Sequence, residues 1–121
     1  MSGIGRLWYD IQQRIHDWAE IEFGSATHVF PLFKRVLDEV DELKLELDLA
    51  GHGLMVNQVK NMPQFKARIA SECADIVITL YRLCGSLGID LMTAIDDKQT
   101  VNESRRWERN GDGTGKHIKH E

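Results

Sequence analysis

The sequence predicts an all-α protein, specifically a four-helix bundle of the kind that assembles into oligomers. Apolar residues recur at helical spacing in four segments of the 121-residue chain. The chain contains only two prolines, and the apolar–polar alternation of half-buried strands is rare. Four amphipathic helices joined by short connections bury their apolar faces most readily against one another, which favours a bundle.

The composition excludes several classes of protein. Fifteen basic and nineteen acidic residues give a net charge of −4, too few cations for a protein that binds a nucleic acid polymer. No segment approaches the ~20 apolar residues that span a bilayer, so we expect no membrane partner. The N-terminal residues lack the features of a signal peptide, and we therefore expect a cytoplasmic location. Small phosphorylated ligands remain compatible with this charge.

The first two predicted helices occupy the N-terminal half of the chain. The first runs from about Leu7 to Glu22 and has an apolar stripe that includes Trp8 and Trp18. The second runs from about Pro31 to Leu49, and the glycines that follow it are typical of a helix end. Its apolar face consists of Phe33, Val36, Val40, Leu43 and Leu47.

Two more helices are predicted after a loop. The third begins at Pro63, a residue suited to a first helical turn, and ends at Gly88. Asp90 is the predicted N-cap of the fourth, which runs to about Trp107. We therefore predict one helical domain over residues 1–109 and a polar, glycine-rich tail over 110–121, extended or mobile. The apolar faces of the first and fourth helices are broad for a monomer, which predicts a homodimer or homotetramer.

Two pairs of carboxylates border these apolar stripes. Glu39 and Glu42 lie three residues apart in the second helix, and Glu72 and Asp75 repeat that spacing in the third. Residues three or four apart share a helix face, so each helix offers a carboxylate pair at the edge of the core. An alternative is a solvated acidic face, since the segment DEVDELKLELD holds six acids and one lysine. The recurrence of the pair in a second helix favours a site.

Crowded carboxylates repel one another, and a divalent cation removes that cost. Ligands that are all oxygen suit Mg²⁺, or Mn²⁺, rather than zinc. A di-iron bundle would require Glu-x-x-His on two helices, and no histidine has that spacing.

Basic and aromatic residues provide candidate contacts to a phosphorylated ligand. The fourth helix places a lysine, an asparagine and arginines close together, and Arg35 precedes the acids of the second helix. Arg68 and Arg82 share a face with the third-helix acids, and either bind phosphate or pair with acidic neighbours. One tryptophan of the first helix is a candidate platform for a nucleobase, although both suit a core. The candidate substrate-binding residues are Lys98, Asn102, Arg105, Arg106, Arg35, Trp18 and Trp8.

These motifs resemble the MazG-like all-α nucleoside triphosphate pyrophosphohydrolases, which are related to the dCTP pyrophosphatases. That family carries a Glu-x-x-Glu helix, a later Glu-x-x-Asp helix, and a helix with a lysine, an asparagine and basic residues. The matching segments here are DEVDEL, SECADIVITLY and KQTVNESRRW, within residues 30–107. The chain departs from the family at Asp38 and Ser71, positions where an additional Glu often precedes each motif.

The resemblance implies Mg²⁺-dependent hydrolysis of a ribo- or deoxyribonucleoside triphosphate between the α and β phosphates. The products would be the monophosphate and pyrophosphate, in control or cleaning of the nucleotide pool. The four acids would be catalytic residues and metal ligands, with Lys98 and an arginine at the leaving pyrophosphate. A non-catalytic nucleotide-binding or interaction module of the same fold is the alternative.

Overall fold

The computed structural model describes residues 3–119, and describes side chains from residue 11 onward. Within these residues the chain forms five helices and two short strands. They are α1 (Gly3–Phe23), α2 (Val29–Ala50), α3 (Val56–Lys60), α4 (Pro63–Ser86), α5 (Leu91–Ser104), β1 (Trp107–Arg109) and β2 (Gly115–His117). The chain divides into two compact units, Met1–Ile89 and Asp90–Glu121. The all-α prediction is confirmed, with a hairpin added.

Helix α4 organises the first unit, because it packs against α2, α1 and α3. The third predicted helix corresponds to α4, whose first residue is Pro63 as predicted. The described buried apolar side chains come from α1, α2 and α4: Ala19, Val36, Phe65, Tyr81 and Cys84. Because no large side chain among the described residues is completely buried, the core of this unit is thin.

A glycine allows α1 and α4 to approach closely. A Cβ atom added at Gly85 would lie 3.0 Å from His16 Nδ1 and 3.3 Å from His16 Cβ. A larger residue at this position would therefore force the two helices apart. This crossing fixes the C-terminal half of α1 beside the half of α4 that follows the acids.

Helix α3 lies in a segment that we predicted to be a loop. It is a five-residue helix, and the side-chain oxygen of Gln58 accepts a hydrogen bond of 2.8 Å from the N–H of Met55 at its start. Because a single helical turn has no apolar repeat, periodicity does not reveal it. The described side chain of Val59 is half-buried, and α3 packs on α4.

The second unit begins as predicted and ends differently. The side chain of Asp90 caps α5 by accepting a hydrogen bond from the N–H of Thr93 (3.2 Å). The helix ends at Ser104 rather than at Trp107, because the chain turns extended at Arg105. Strands β1 and β2 then pair antiparallel, with Trp107 opposite His117. The tail over 110–121, predicted to be extended or mobile, thus contains an extended strand at residues 115–117, and the predicted domain boundary at residue 109 falls inside this hairpin.

Many large apolar side chains of α2 remain exposed. Phe30, Phe33, Leu37, Val40 and Leu45 are all between 41% and 67% exposed. Among the described residues no single helix is long and apolar enough to cross a membrane. Taken together, α4 and α5 would meet this criterion by length and composition only.

Candidate functional site

Three of the four predicted acids meet in the first unit. Carboxylate oxygens of Glu39, Glu72 and Asp75 lie within 4.8 Å of one another. Glu72 and Asp75 are one turn apart on α4, and the packing of α2 against α4 brings Glu39 to them. Glu39 and Glu72 are half-buried, and Asp75 is exposed. Three oxygen donors at this spacing fit a cation such as Mg²⁺ or Mn²⁺.

The fourth acid, Glu42, is exposed and lies outside this group of three. Its charge nevertheless acts on Glu72. The pKa of Glu72 is raised, first by burial and then by the charges of Glu42, Asp75, Glu39 and Glu46. Each of these effects disfavours the ionised carboxylate, so the fold concentrates negative charge around Glu72. The role of Glu42 as a ligand stays a prediction.

A guanidinium group lies against the acid cluster. Arg35 donates to Glu39 Oε1 at 2.6 Å and to Asp38 at 3.3 Å. Lys34 also contacts Asp38, at 3.2 Å, and this hydrogen bond is the main reason that the pKa of Asp38 is lowered. Arg35, predicted to bind substrate, thus holds one oxygen of a predicted metal ligand and offsets part of the negative charge.

A cavity of about 460 Å³ opens beside the acids. Glu39 and Asp75 belong both to the acid group and to the lining of this cavity. Its other walls are mostly apolar, formed by Ile15, Trp18, Ala19, Phe23, Pro31, Leu32 and Ile78. A polar end beside an apolar chamber is typical of sites for small molecules that have one charged and one apolar part.

The structure places Trp18 in the wall of this cavity, as expected of an aromatic platform. Its ring meets Phe23 edge to face, with centroids 5.2 Å apart and an angle of 83° between planes. Trp18 is 51% exposed, so part of its surface is accessible to a ligand. The side chain of Trp8, the other candidate, lies outside the described side chains.

The two arginines of α4, for which the sequence left phosphate binding and ion pairing as alternatives, both pair with acids. Arg68 lies 3.5 Å from Glu46. Arg82 is buried at 9% exposure and donates to Glu20 Oε1 at 2.8 Å and to the carbonyl oxygen of Gly24 at 2.9 Å.

The contacts of Arg82 belong to a cluster of polar groups that we call the clasp. It consists of Arg82, Glu20, the Gly24 carbonyl and the Ser25 hydroxyl. Ser25 donates to the second oxygen of Glu20, and this bond is the largest reason that the pKa of Glu20 is lowered. Arg82, Gly24 and Ser25 also line the cavity. No sequence pattern predicts the clasp, because Arg82 and Glu20 are 62 positions apart and no local pattern joins them.

The remaining substrate-binding candidates belong to the second unit. Lys98 is exposed on α5, and the carbonyl oxygen of Asn102 accepts the indole N–H of Trp107 at 2.8 Å. Arg105 has an extended backbone conformation just after α5, and Arg106 follows it. Because α5 ends at Ser104, neither arginine lies within the fourth helix as predicted, and their role in substrate binding stays a prediction.

Comparison with known proteins finds similarity to a curated sequence and to solved structures, and no family model matches the chain. A dATP/dGTP diphosphohydrolase of Salmonella phage PMBT28 is 32% identical over 109 residues, which cover 90% of this chain. The chain spans 31% of the length of that curated relative.

A solved structure is similar to this chain in fold. It is the cyanophage S-2L MazG-like pyrophosphohydrolase, bound to dGDP and three catalytic Mn²⁺ ions per active site. The sequences are 24% identical, and the match covers 93% of this chain and 97% of that one with a TM-score of 0.64. This likeness confirms the fold that the sequence motifs implied: the chain has the all-α fold of a MazG-like pyrophosphohydrolase.

Proposed function

We propose that this chain is a metal-dependent nucleoside triphosphate pyrophosphohydrolase. It cleaves its substrate between the α and β phosphates and releases a nucleoside monophosphate and pyrophosphate. The observation that carries the proposal is that Glu39 and Asp75 lie both in the acid group and in the wall of the apolar cavity. One site thereby offers metal ligands for the phosphates and an apolar chamber for the base.

The two relatives support this proposal and narrow the substrate. One is described as acting on dATP and dGTP, and the other as binding dGDP with Mn²⁺. We therefore propose a purine deoxynucleoside triphosphate as substrate, with the base in the cavity. The accessible face of Trp18, held edge-on by Phe23, suits stacking on a base.

Glu39, Glu72 and Asp75, with Glu42, are the proposed ligands of Mg²⁺ or Mn²⁺. Such a cation supplies charge neutralisation at the phosphates and makes water more acidic. A carboxylate of the group, with Glu39 the first candidate, accepts the proton of the attacking water. Arg35 is placed to exchange its contact with Glu39 for a phosphate oxygen.

Lys98, Asn102, Arg105 and Arg106 are proposed to contact the substrate. Cations at the leaving pyrophosphate would stabilise the charge that develops there. Their support is the sequence resemblance, in which a lysine, an asparagine and basic residues follow the two acidic motifs.

We also propose that the protein is a homodimer or homotetramer that acts on free nucleotides in the cytoplasm. The support is the apolar surface of α2, where Phe30, Phe33, Leu37, Val40 and Leu45 are exposed. Contiguous apolar surface of this kind is rarely left open on a monomer and is typical of an interface between copies.

Removal of either of two acids is expected to abolish turnover without unfolding the protein. Asp75→Ala removes a member of the acid group, and Glu42→Ala removes a charge that acts on Glu72. Pyrophosphate release from dATP and dGTP should fall by at least about a hundredfold, the scale of ~2.7 kcal/mol in the barrier. Asp41→Ala, an exposed acid of the same α2 turn, is the control and should retain activity. Normal turnover by either site variant would exclude the proposed site.

Neutralising Glu72 is expected to stabilise the metal-free protein. Because the pKa of Glu72 is raised in the fold, the folded state binds its proton more tightly than the unfolded state. That stability is present below the ordinary pKa of a glutamate and is lost as pH rises through the raised pKa. At pH 7 in EDTA, Glu72→Gln should therefore melt at a higher temperature than the parent.

The same variant should lose the stabilisation that the cation provides. Saturating Mg²⁺ or Mn²⁺, at about 100 times its Kd, should stabilise the parent by ~2.7 kcal/mol. Scanning calorimetry of both proteins, with and without the cation, measures the two effects. A parent that ignores the cation, or a Glu72→Gln protein that responds equally, contradicts the metal site.

Lys98→Ala is expected to impair the reaction while leaving stability unchanged. Loss of a charge-assisted contact to phosphate should lower kcat/KM by about ten- to a hundredfold, equivalent to ~1.4–2.8 kcal/mol. Lys116→Ala removes an exposed cation of the hairpin and is the matched control. Early melting of Lys98→Ala with unchanged turnover would instead assign Lys98 to a structural ion pair.

The protein is expected to be a dimer or tetramer at micromolar concentration. Light scattering coupled to size exclusion measures the mass directly. Replacing Phe33 and Val40, both exposed on α2, with Glu should shift the protein toward monomer, because buried charge opposes association. A monomeric parent would contradict the proposed assembly.

A further inference from the structure

One face of α4 joins the acids to the clasp. Asp75, Ile78, Thr79 and Arg82 all line the cavity, at positions three and four residues apart. Asp75 and Arg82 are seven residues apart, which corresponds to about 10 Å along a helix. A nucleoside spans such a distance between its 5′ oxygen and the far edge of its base. The clasp therefore lies where the base of a bound nucleotide would end.

The clasp holds a segment that forms part of the cavity wall. Gly24 follows α1 with a φ of +80°, and its N–H donates to the carbonyl oxygen of Glu20 at 3.0 Å. Its own carbonyl oxygen accepts from Arg82 at 2.9 Å. The next residues, Ser25 and Ala26, line the cavity. Arg82 thus ties the wall formed by Gly24–Ala26 directly to the helix that carries Asp75.

Net stability is a weak reason for such an arrangement. Burying the Arg82 guanidinium costs solvation energy, which its attraction to the partly exposed Glu20 carboxylate offsets only in part. Unlike an apolar side chain, Arg82 has a planar guanidinium group whose N–H donors point in fixed directions. Its two hydrogen bonds, to Glu20 and to the Gly24 carbonyl, set the wall at one distance from the acids.

We propose that Arg82 is a positioning residue that sets the depth of the base chamber through the clasp, and thereby favours two-ring over one-ring bases. The inference rests on the proposed function. A purine reaches the wall formed by Gly24–Ala26 and gains contact with it, whereas a pyrimidine stops short. Loosening the wall removes contact mainly from the purine. Arg82 acts through the wall and does not itself touch the reacting atoms.

The test compares Arg82→Met, Arg82→Lys and Ser25→Ala with the parent, using dATP, dGTP, dCTP and dTTP. For Arg82→Met we expect the KM for dATP and dGTP to rise about tenfold, the scale of one lost hydrogen-bonded contact, with kcat within about twofold. The KM values for dCTP and dTTP should change by less than about twofold. Arg82→Lys, which keeps the charge, should recover part of the purine preference.

A binding measurement separates the role of the wall from catalysis. Affinity for dGDP in saturating Mn²⁺, followed by tryptophan fluorescence, should fall by about the same factor as the KM for purine nucleotides rises. Lys44→Met, which removes an exposed cation paired with Asp48 on α2, is the control and should match the parent. If Arg82→Met does not fold, Ser25→Ala decides, because it removes one hydrogen bond of the clasp and should weaken purine binding about two- to tenfold.

The outcomes distinguish this inference from the proposed function. A parent that releases no pyrophosphate from any of the four nucleotides overturns the proposed function. An active parent whose Arg82 and Ser25 variants keep its purine preference overturns the inference alone. Equal losses for all four nucleotides, or a fall in kcat with unchanged KM, would also overturn it, since they indicate a general structural role.

Discussion

The contact between α2 and α4 is the constraint on which the site depends. Glu72 and Asp75 share a turn of α4, but they gain a third carboxylate only because α2 packs alongside and presents Glu39. That packing is opposed by the burial of Glu72 and by its repulsion from the neighbouring acids, the two effects that raise its pKa. It is sustained by a thin core in which Val36 of α2 and Phe65 of α4 are buried. The apolar contacts thus hold together a charge arrangement that would otherwise separate.

The same helix also fixes the opposite end of the cavity. Arg82 lies two turns beyond Asp75 and reaches across to the end of α1. Close approach of α1 at Gly85 makes that reach short enough for a direct hydrogen bond. One helix therefore sets both the position of the acids and the position of the wall, and the cavity lies between the two. A change in the crossing of α1 and α4 would alter the chamber without moving the acids.

Sequence periodicity predicts the arrangement of residues correctly where a single helix determines it. The i, i+3 spacing placed Glu72 and Asp75 on one face, and the capping preference identified Asp90. It was weaker across helices. Spacing alone predicted both Glu39 and Glu42 as metal ligands. The packing of α2 brings Glu39 into the acid group and leaves Glu42 exposed outside it. Distances between helices depend on side chains of both partners, which one-dimensional periodicity does not contain.

The C-terminal segment shows a different limit. The glycine-rich, polar stretch predicted an extended or mobile tail and did not predict the pairing of two strands, whose turn is held by polar side chains. Asp112 accepts from both the N–H and the hydroxyl of Thr114, and Asn110 donates to that hydroxyl. Strands of three residues are too short to show alternation, so the hairpin had no apolar signal. The asparagine, aspartate and glycine residues of this segment are typical of a tight turn, and they favour a hairpin over an open tail.

Charge also constrains the order of binding under the proposed function. A triphosphate that approaches Glu39, Glu72 and Asp75 without a cation is repelled by carboxylates, which carry negative charge as it does. The raised pKa of Glu72 shows that negative charge is already unfavourable at this position. Arg35 offsets this only in part, since its contacts are already committed to Glu39 and Asp38. The apolar chamber can hold a base, but burial of the base does not remove the repulsion at the phosphates. A productive complex therefore requires the cation to bind before the nucleotide or to arrive with it, so metal affinity and nucleotide affinity must be coupled at this site.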